Sequence, residues 1–420
     1  MTDVSIRIAK ESLMSKWIVF SGKNQYLKGS KKHRDIQPIL GQALLIRKVA
    51  KLNEAANNPV VIFSSAPKAV TDELLGHELL GEHYLIDDFD WDKVSHEPVI
   101  ITESKISFIN RQLISDISER ADHLDKEHVT YMLDGRPLAI AMSSEHLKTI
   151  VSEAYEVFSS DEILKDIQKA LMRLFNDHLM YELEPEDVEE ASSMKALQQI
   201  IYSYNQEKIE SLLEMGTLVV DPSSTWIDTD VVVGSDSVIY PGSIIKGKTV
   251  IGEGCEIGPA VRIEDCQIGN GVKIKDSTLI SSKVDDESTI GPYAYLRPKS
   301  DIGKGVKIGD FVEVKNARID DGAKVSHLSY IGDGHVGKRV NIGCGVIFAN
   351  YDGKNKFKTT VEDDAFVGSG SNLIAPVTIR EGAYVAAGST ITDDVDKYSL
   401  AIARGRQVQK KDWVLNKREK

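Results

Sequence analysis

The feature that most constrains the fold is an apolar, mostly branched residue at every sixth position. The series begins at Val233 and ends at Ile391, with slips of one or two residues and one long interruption after Phe348. A period of six fits neither the 3.6-residue helix nor the two-residue strand, so the chain must return to the same interior line every six residues. The series is Val233, Ile239, Ile245, Ile251, Ile257, Ile263, Ile268, Ile274, Ile280, Val284, Ile290, Leu296, Ile302, Ile308, Val314, Ile319, Val325, Ile331, Val336, Ile342, Phe348, Val361, Val367, Leu373, Ile379, Val385 and Ile391.

A parallel β-helix satisfies this period, because three hexads make one triangular coil. A glycine often follows the apolar residue and suits a corner where the backbone bends tightly or needs a positive φ. The period leaves the handedness open, because crossover rules favour right-handed connections. These glycines are Gly234, Gly252, Gly258, Gly269, Gly291, Gly303 and Gly309.

The chain before residue 216 has a different pattern. The segments "WIVFSG" and "NPVVIFSS" predict buried strands, and "GQALLIRKVAKLNEAANN" between them predicts a helix, which together make a βαβ-like start. Further strands are predicted at "PVIITES" and "PLAIAMSS" and a helix at "SEHLKTIVSEAYEVF". The acidic segment from Glu184 predicts a capped helix that closes at Gly216 and links two domains.

Composition limits the partners. A formal net charge of −13 argues against nucleic-acid or membrane-surface binding, so an anionic substrate must meet a local basic pocket. Three cysteines without zinc spacing indicate neither a disulfide framework nor a zinc site, and they favour a reducing cytoplasm. We expect no secretion signal and no membrane span, because no apolar run is long enough.

The repeat is interrupted most strongly between Phe348 and Val361, where "ANYDGKNKFKTT" forms a polar, basic insertion. Insertions in repeat proteins map to loops on one face, which is often the binding face. The segments just before it, "YLRPKS", "VEVKNARI", "VSHLSYIG" and "VNIGCGVIF", carry polar residues between the apolar positions. We therefore expect function to lie at these coils.

These motifs carry a family resemblance. The chain from about Asp221 to Trp413 resembles the acetyltransferase domain of the bifunctional bacterial enzymes that acetylate glucosamine 1-phosphate and then uridylylate the product. The resemblance rests on "HLSYIGD", "NYDGKNKFKT", "SNLIAPVTI", "AAGSTIT" and "LAIARGRQ", in the family's order and spacing. It implies a left-handed parallel β-helix after an α/β nucleotidyltransferase-like (Rossmann-like) domain.

The resemblance makes His327 the general base that takes a proton from the glucosamine 2-amino group as it attacks acetyl-CoA. An amine is nucleophilic only when neutral, and imidazole titrates near neutral pH, so the residue type suits the role. Taken alone, one histidine at a corner would more often be a solvated side chain; the matching neighbours favour the base.

By the same resemblance Arg297, Lys315 and Lys356 hold the sugar phosphate, which a guanidinium fork and two ammonium charges suit chemically. Tyr330 and Asn341 would contact the sugar. Each of the three cations alone would be an ordinary surface charge, and Tyr330 and Asn341 could serve packing and a turn. Their position on coils around one loop is what favours binding.

Further positions match residues that lie near acetyl-CoA in the family. Cys344 stands where the family commonly has alanine, and a buried, inert thiol is the expected alternative for it. The basic tail "RGRQVQKKDWVLNKREK" corresponds to an arm near a trimer interface that helps to enclose the CoA site. The acetyl-CoA positions are Cys344, Asn350, Tyr351, Ser369, Ala387 and Arg404.

The amino-terminal half departs from the family. Its nucleotidyltransferases carry a Gly-rich signature after the first strand, which brings backbone amides to the nucleotide phosphates. The equivalent here is "WIVFSGKNQYLKGSKKHRD", which keeps Gly22 and lacks a clear Pro-Lys pair. The places of the second glycine, threonine and arginine are taken by Asn24, Gln25 and Tyr26.

The metal site of that half is altered as well. Glu103 replaces the expected aspartate, and Ser192 or Ser193 stands for the later asparagine. Uridylyl transfer needs a divalent ion to neutralise a triphosphate, so we expect a degenerate domain with little or no such activity, although Glu103 could still bind magnesium.

The sequence therefore predicts a degenerate nucleotidyltransferase-like domain with a linker helix over residues 1–215, a β-helix acetyltransferase domain over 216–400 and a basic arm over 401–420. The predicted function is acetyl-CoA-dependent N-acetylation of glucosamine 1-phosphate by a cytoplasmic homotrimer, in UDP-N-acetylglucosamine synthesis for the cell wall, with magnesium needed only if the first domain is active. The alternatives are a fully bifunctional enzyme, an acyltransferase for another amino sugar, and a non-catalytic regulatory or scaffold paralogue.

Overall fold

The computed structural model describes residues 17–21, 30, 32, 34–40, 42–56, 60–64, 83–85, 91, 94, 98–109, 111–124, 128–160, 162–175, 178–183 and 188–418. The chain divides into two compact units, Met1–Tyr204 and Asn205–Lys420. The predicted domain limits at residues 215 and 400 stay a prediction. Four residues of the predicted phosphate loop lie outside the described residues: Gly22, Asn24, Gln25 and Tyr26.

The first unit is an α/β structure. Short 3₁₀ helices lie at Arg34–Ile36 and Tyr155–Ser159. Its described strands and α-helices are β1 (Trp17–Ser21), β2 (Pro38–Ile39), β3 (Gln42–Ala43), α1 (Leu44–Ala56), β4 (Val60–Ser64), β5 (His83–Leu85), β6 (Val99–Glu103), β7 (Ile106–Ile109), α2 (Arg111–Asp122), β8 (His128–Leu133), β9 (Arg136–Met142), α3 (Ser144–Glu153), α4 (Ile163–Leu174), β10 (His178–Glu182) and β11 (Val188–Glu190). The next helix, α5 (Met194–Glu214), begins in the first unit and ends in the second.

Seven of these strands form one mixed sheet in the order β10-β8-β9-β6-β1-β4-β5. The central strand β1 runs parallel to β4 and β6, and β9 runs antiparallel to both of its neighbours. All five residues of β1 are buried, as expected for a central strand covered on both faces. The predicted βαβ-like start is confirmed by β1, α1 and β4.

Two helix predictions in this unit were too long. The helix predicted from Glu184 to Gly216 begins only at Met194, because Val188–Glu190 pairs with β7 as an antiparallel strand. Ser193 caps its start by accepting a hydrogen bond from the amide of Ala196 (3.2 Å), and Gly216 follows its end with a φ of +89°. The helix predicted through Phe158 ends as α3 at Glu153 and is followed by a 3₁₀ turn.

The second unit is a solenoid of three parallel sheets, which is consistent with the predicted left-handed β-helix. The first sheet contains β12 (Leu218–Val219), β15 (Val238–Ile239), β18 (Glu256–Ile257), β21 (Lys273–Ile274), β24 (Thr289–Ile290), β27 (Lys307–Asp310), β30 (Lys324–His327), β33 (Asn341–Ile342), β36 (Phe366–Val367), β39 (Tyr384–Val385) and β41 (Leu400–Ala401).

The second sheet contains β13 (Trp226–Ile227), β16 (Ile244–Lys246), β19 (Arg262–Glu264), β22 (Thr278–Ile280), β25 (Tyr295–Leu296), β28 (Glu313–Lys315), β31 (Tyr330–Gly332), β34 (Ile347–Ala349), β37 (Asn372–Ile374) and β40 (Thr390–Ile391). The third contains β14 (Val232–Val233), β17 (Val250–Ile251), β20 (Gln267–Ile268), β23 (Lys283–Val284), β26 (Asp301–Ile302), β29 (Arg318–Ile319), β32 (Gly334–Val336), β35 (Thr359–Val361) and β38 (Val377–Ile379). A 3₁₀ turn at Pro222–Ser224 precedes β13, and a helix, α6 (Trp413–Arg418), lies in the basic arm.

The period-six residues form the solenoid interior. They stack in register from coil to coil, as Ile308 does on Val325, and each one that was predicted is buried with a single exception. Ile280 is only partly buried, and Leu279 occupies the interior in its place, fully buried. The prediction was wrong there because the coil is shortened by one residue on each side of Leu279.

The corner glycines have two physical reasons. Gly291 has a φ of +100°, which side-chain-bearing residues rarely adopt. Gly309 has an ordinary φ, but a Cβ at this position would overlap the carbonyl oxygen of Ser326 on the next coil. Of the seven predicted corner glycines only Gly258 and Gly291 have a positive φ, so close stacking of coils demands glycine more often than the backbone angle does.

Candidate active site

His327 ends β30, at the corner between the first and second sheets. Its side chain is 55% exposed, and its Nδ1 lies 2.5 Å from Oδ1 of Asp310. These two residues are register partners on adjacent coils, where β27 pairs with β30. Sequence reasoning missed Asp310, because only the register of the two coils reveals that it lies beside the histidine.

The electrostatics of this pair fix the tautomer of the ring. The hydrogen bond from His327 holds the pKa of the Asp310 carboxyl below its usual range, so the carboxylate is ionised at neutral pH. An ionised carboxylate can only accept, hence Nδ1 carries the proton and donates it. The lone pair of the ring is then on Nε2, the nitrogen that can accept a proton from a substrate.

Three predicted acetyl-CoA residues continue the line of His327 along the solenoid axis. Backbone hydrogen bonds connect the corner from coil to coil: Gly345 donates to the carbonyl of His327, Gly370 to that of Cys344, and Gly388 to that of Ser369. We call this exposed line the histidine column; from coil to coil it consists of Asp310, His327, Cys344, Ser369 and Ala387.

The side chains of the histidine column beyond His327 are small. Coils stack about 4.8 Å apart, so its last three members make a narrow strip roughly 10 Å long that a thin, extended molecule could follow. Cys344 is exposed, so the expected buried thiol was wrong; the buried thiols are Cys255 and Cys266, and burial raises the pKa of both. Arg404 lies at the far end of the strip, where its Cδ would be 3.8 Å from a Cβ on Gly388.

The predicted phosphate residues meet at the next corner, between the second and third sheets. Lys315 ends β28, Arg297 follows β25 on the preceding coil, and Lys356 lies in the inserted loop. The pKa of Lys315 is lowered, first by neighbouring Lys356 and then by Arg297, which places the three charges close together. We call Arg297, Lys315 and Lys356 the cation cluster.

The arrangement around the cation cluster is held by further contacts. Arg297 Nη1 bonds Oε1 of Glu313 at 2.7 Å, and that contact raises the pKa of the guanidinium. Gly332 is the register partner of Lys315, and a Cβ on it would overlap the hydroxyl of Tyr330. The Tyr330 ring therefore lies along β31 from the side of His327 towards the cation cluster.

The inserted loop is a compact turn anchored to the solenoid. Asn350 Nδ2 donates to Oδ2 of Asp333 at 2.5 Å, and the amide of Phe357 donates to the carbonyl of Asn350 at 2.8 Å. At its tip the carboxylate of Asp352 accepts from the amides of Lys354 and Asn355, which lowers its pKa. These contacts hold Lys356 at the corner of Lys315.

The structure does not bring all predicted site residues to one place within the chain. Asn350 and the exposed Tyr351 lie at the corner of the cation cluster, away from the other predicted acetyl-CoA residues in the histidine column. Asn341 lies on the first sheet as the register partner of Lys324, one coil beyond it. The second sheet, with Tyr330 at its beginning, separates the two corners.

The predicted metal residue of the first unit is already engaged. Glu103 is buried at the end of β6; its Oε1 accepts from the amide of Leu164 at 2.7 Å, and its Oε2 lies 2.8 Å from Nζ of Lys105. Buried Lys48 donates to the Glu103 carbonyl, and burial lowers its pKa to about 7. Among the described residues, no group of three or more His, Cys, Asp or Glu could hold a metal ion.

None of the described helices is both long and apolar enough to cross a membrane.

Comparison with known protein families supports the assignment of the second unit as a repeat solenoid. Residues 230–265 match the family model described as Bacterial transferase hexapeptide (six repeats), which agrees with the period of six in this part of the solenoid.

Similar curated proteins narrow the family to which this chain is related. The chain is 61% identical over 211 residues to the Bifunctional protein GlmU of Clostridioides difficile (strain 630), which covers 50% of this chain and 46% of the relative. It is 52% identical over 232 residues to the Bifunctional protein GlmU of Alkaliphilus metalliredigens (strain QYMF), covering 55% and 51%. The predicted resemblance to this family is thereby confirmed, and the chain spans about half the length of the curated relatives it matches.

A solved structure, the UDP-N-Acetylglucosamine Acyltransferase of Francisella novicida, is similar at 15% identity and a TM-score of 0.29, covering 44% of this chain and 67% of that one. A likeness at this level says nothing about the chemistry of this chain.

Proposed function

We propose that this protein transfers the acetyl group of acetyl-CoA to the 2-amino group of glucosamine 1-phosphate. The product, N-acetylglucosamine 1-phosphate, would feed UDP-N-acetylglucosamine synthesis for cell-wall precursors in the cytoplasm. The observation that carries the proposal is the arrangement of β31. A histidine paired with an ionised aspartate lies before this strand, and a cluster of three cations lies at its other end.

His327 acts as the general base in this proposal. Its Nε2 accepts a proton from the amine as the nitrogen attacks the thioester carbonyl; the C–N bond forms, the C–S bond breaks, and coenzyme A leaves with a proton. Asp310 is a positioning residue that holds Nδ1 protonated and favours the positive charge that develops on the ring. No covalent acyl-enzyme is needed.

The cation cluster binds the sugar phosphate. The mutual repulsion that lowers the pKa of Lys315 is relieved when an anion is bound between the cations, so the free site is electrostatically prepared for phosphate. Tyr330 and Asn341 would contact the sugar.

The small members of the histidine column support acetyl-CoA binding, because they leave room for its extended arm while Arg404 offers a charge for its phosphates. Asn350 and Tyr351 lie at the opposite corner, and adjacent chains of a homotrimer would supply them to a shared site. The structure of one chain supports this indirectly, because the predicted acetyl-CoA residues are divided between two corners.

We infer that the first unit does not transfer uridylyl groups. Glu103, the residue in the place of the metal-binding aspartate, already accepts one backbone hydrogen bond and pairs with Lys105. A magnesium ion would have to displace that ammonium from a buried carboxylate.

One assay tests the proposal against its alternatives. Release of coenzyme A from acetyl-CoA is measured with a panel of amino sugars and their phosphates, using the full chain. We expect turnover with glucosamine 1-phosphate and little with free glucosamine, because the free sugar lacks the group that the cation cluster binds. A scaffold would release none with any acceptor, and an enzyme for another amino sugar would prefer a different member of the panel.

A further inference from the structure

A groove adjoins the cation cluster at the corner between the second and third sheets. Its cavity of about 460 Å³ is within the range of small-molecule sites. It is larger than a single phosphate requires. Its lining consists of Lys299, Asp301, Asn316, Ala317, Arg318, Asp333, Gly334, Lys356, Phe357 and Lys358.

The charge of the groove is unbalanced. Its two carboxylates are engaged: Asp301 pairs with Arg318, and Asp333 accepts from Asn316 and Asn350. Within the described part of the chain, Lys299, Lys356 and Lys358 form no ion pair, and all three are exposed. The lining thus holds four cations against two carboxylates, and on a chain with a net charge of −13 this local excess of positive charge favours a phosphorylated, anionic ligand.

The groove is continuous with the proposed phosphate site. Lys356 belongs to both, and its neighbour Phe357 presents a half-buried ring to the groove. An aromatic ring can stack against a nucleobase, whereas a lysine pair can hold a phosphate as point charges. The chemistry beyond the first phosphate is therefore that of a second phosphate and a flat, uncharged ring.

We propose that the groove binds a nucleoside diphosphate and that the acceptors of this enzyme include an amino sugar carried on one. The proposal rests on the function proposed above. The cation cluster holds the phosphate next to the sugar, Lys299 and Lys358 hold the second phosphate, and Phe357 stacks on the base. The reaction is unchanged: the amine forms the amide bond, coenzyme A leaves as the thiol, and the nucleotide is retained in the product.

The diphosphate of coenzyme A is a second source of the same chemistry. Continuity of the groove with the cation cluster through Lys356 favours the acceptor as its occupant. Tyr351 lies on the loop of the groove and is predicted to be near acetyl-CoA, so the experiment must separate the two sources.

The test measures kcat/KM of the full chain for glucosamine 1-phosphate and for UDP-glucosamine, and KM for acetyl-CoA with each acceptor. We expect UDP-glucosamine to be acetylated. Lys299→Ala and Lys358→Ala should each lower its kcat/KM by roughly 5- to 20-fold, the effect of losing one charge-assisted contact, and leave glucosamine 1-phosphate within about twofold. Lys248→Ala is the matched control, an exposed lysine at the same corner three coils earlier.

Three results would overturn the proposal. Turnover of glucosamine 1-phosphate without turnover of UDP-glucosamine rejects the groove and leaves the proposed function intact. A raised KM for acetyl-CoA in the two lysine variants assigns the groove to the donor instead. Absence of turnover with both acceptors rejects the proposed function together with the groove.

Discussion

The two units of the chain place their charged residues in opposite ways. In the first unit, the carboxyl end of β6 carries buried Glu103 with Lys105 and Lys48 against it, and these charges satisfy one another. In the solenoid, His327 and Lys356 are exposed at corners, and the cation cluster holds charges that repel each other. The charges at the end of β6 in the first unit contact one another inside the protein, whereas those at the corners of the solenoid are exposed and can contact a ligand.

The cause of the difference is geometric. A sheet covered on both faces buries the ends of its central strands, so a charge placed there must find a partner inside the protein. A solenoid turns outwards at each corner, and its core consists of the period-six residues together with the smaller residues two positions before them, such as Val306 before Ile308. The remaining positions face outwards and can carry charged side chains without burying them.

The largest expected effect is that of His327→Ala. Removing the proposed base should lower kcat for glucosamine 1-phosphate by roughly 100- to 10,000-fold, the range for a lost general base. Because the side chain is exposed, the unfolding temperature should stay the same. Steady-state coenzyme A release and a thermal melt check both parts, and full turnover in the variant would remove His327 from the reaction.

A smaller loss is expected for Asp310→Asn, which keeps the size of the side chain and removes its charge. We expect kcat to fall by about 10- to 100-fold, as when a partner that orients a histidine is removed, with little change in the acceptor KM. The acidic limb of the pH–rate profile should move to lower pH, because the positive ring loses its neighbouring negative charge. A change in thermal stability with an unshifted profile would make Asp310 merely structural.

The first unit should show a pH dependence of stability that comes from Lys48. Burial lowers its folded pKa to about 7, whereas the unfolded value is 10.5, so the unfolded state binds more protons between these limits. Stability contributed by this group therefore rises as pH increases from about 7 towards 10.5, by at most about 1.4 kcal/mol per pH unit.

Urea unfolding at several pH values, followed by fluorescence of the buried Trp17, measures this slope. Lys48→Met should flatten it. The exposed Lys169, on α4 of the same unit, provides the control as Lys169→Met. An equal slope in wild type and Lys48→Met would show that Lys48 stays protonated in the folded state, so that burial does not lower its pKa.

The smallest expected signal is the uridylyltransferase activity of the full chain. With UTP, magnesium and N-acetylglucosamine 1-phosphate, we expect no release of pyrophosphate above the buffer blank, because Glu103 is held by Lys105 and a backbone amide. Magnesium-dependent pyrophosphate release would show that the first unit is an active uridylyltransferase, and the contrast between the two units would then not hold.

Much of the solenoid could be predicted from the sequence because its core obeys a strict period. Val325 and Ile331 were assigned to the interior from spacing alone, and both are fully buried. The single wrong position, Ile280, lies where the period shortens, and a frame shift of one residue exchanges inside for outside. Local spacing cannot say on which side of a slip the interior residue falls.

The site was less predictable, since it depends on which residues meet across coils. Asp310 and His327 are seventeen positions apart because one coil separates them. The family resemblance supplied His327, but the register between two particular coils was needed to find its partner. In the first unit, the contact of Glu103 with the start of α4 depends on packing between distant segments and has no local signal.

The inserted loop shows how the solenoid tolerates change. Between β34 and β35 the chain makes an additional turn, yet Gly334 still pairs with Thr359 in the third sheet, and the interior continues from Phe348 to Val361. The insertion thus alters the outline of one corner without altering the coil it belongs to. Loops of other lengths and charges can therefore be exchanged at this corner while the coils stay the same, so the surface of the scaffold can change independently of its core.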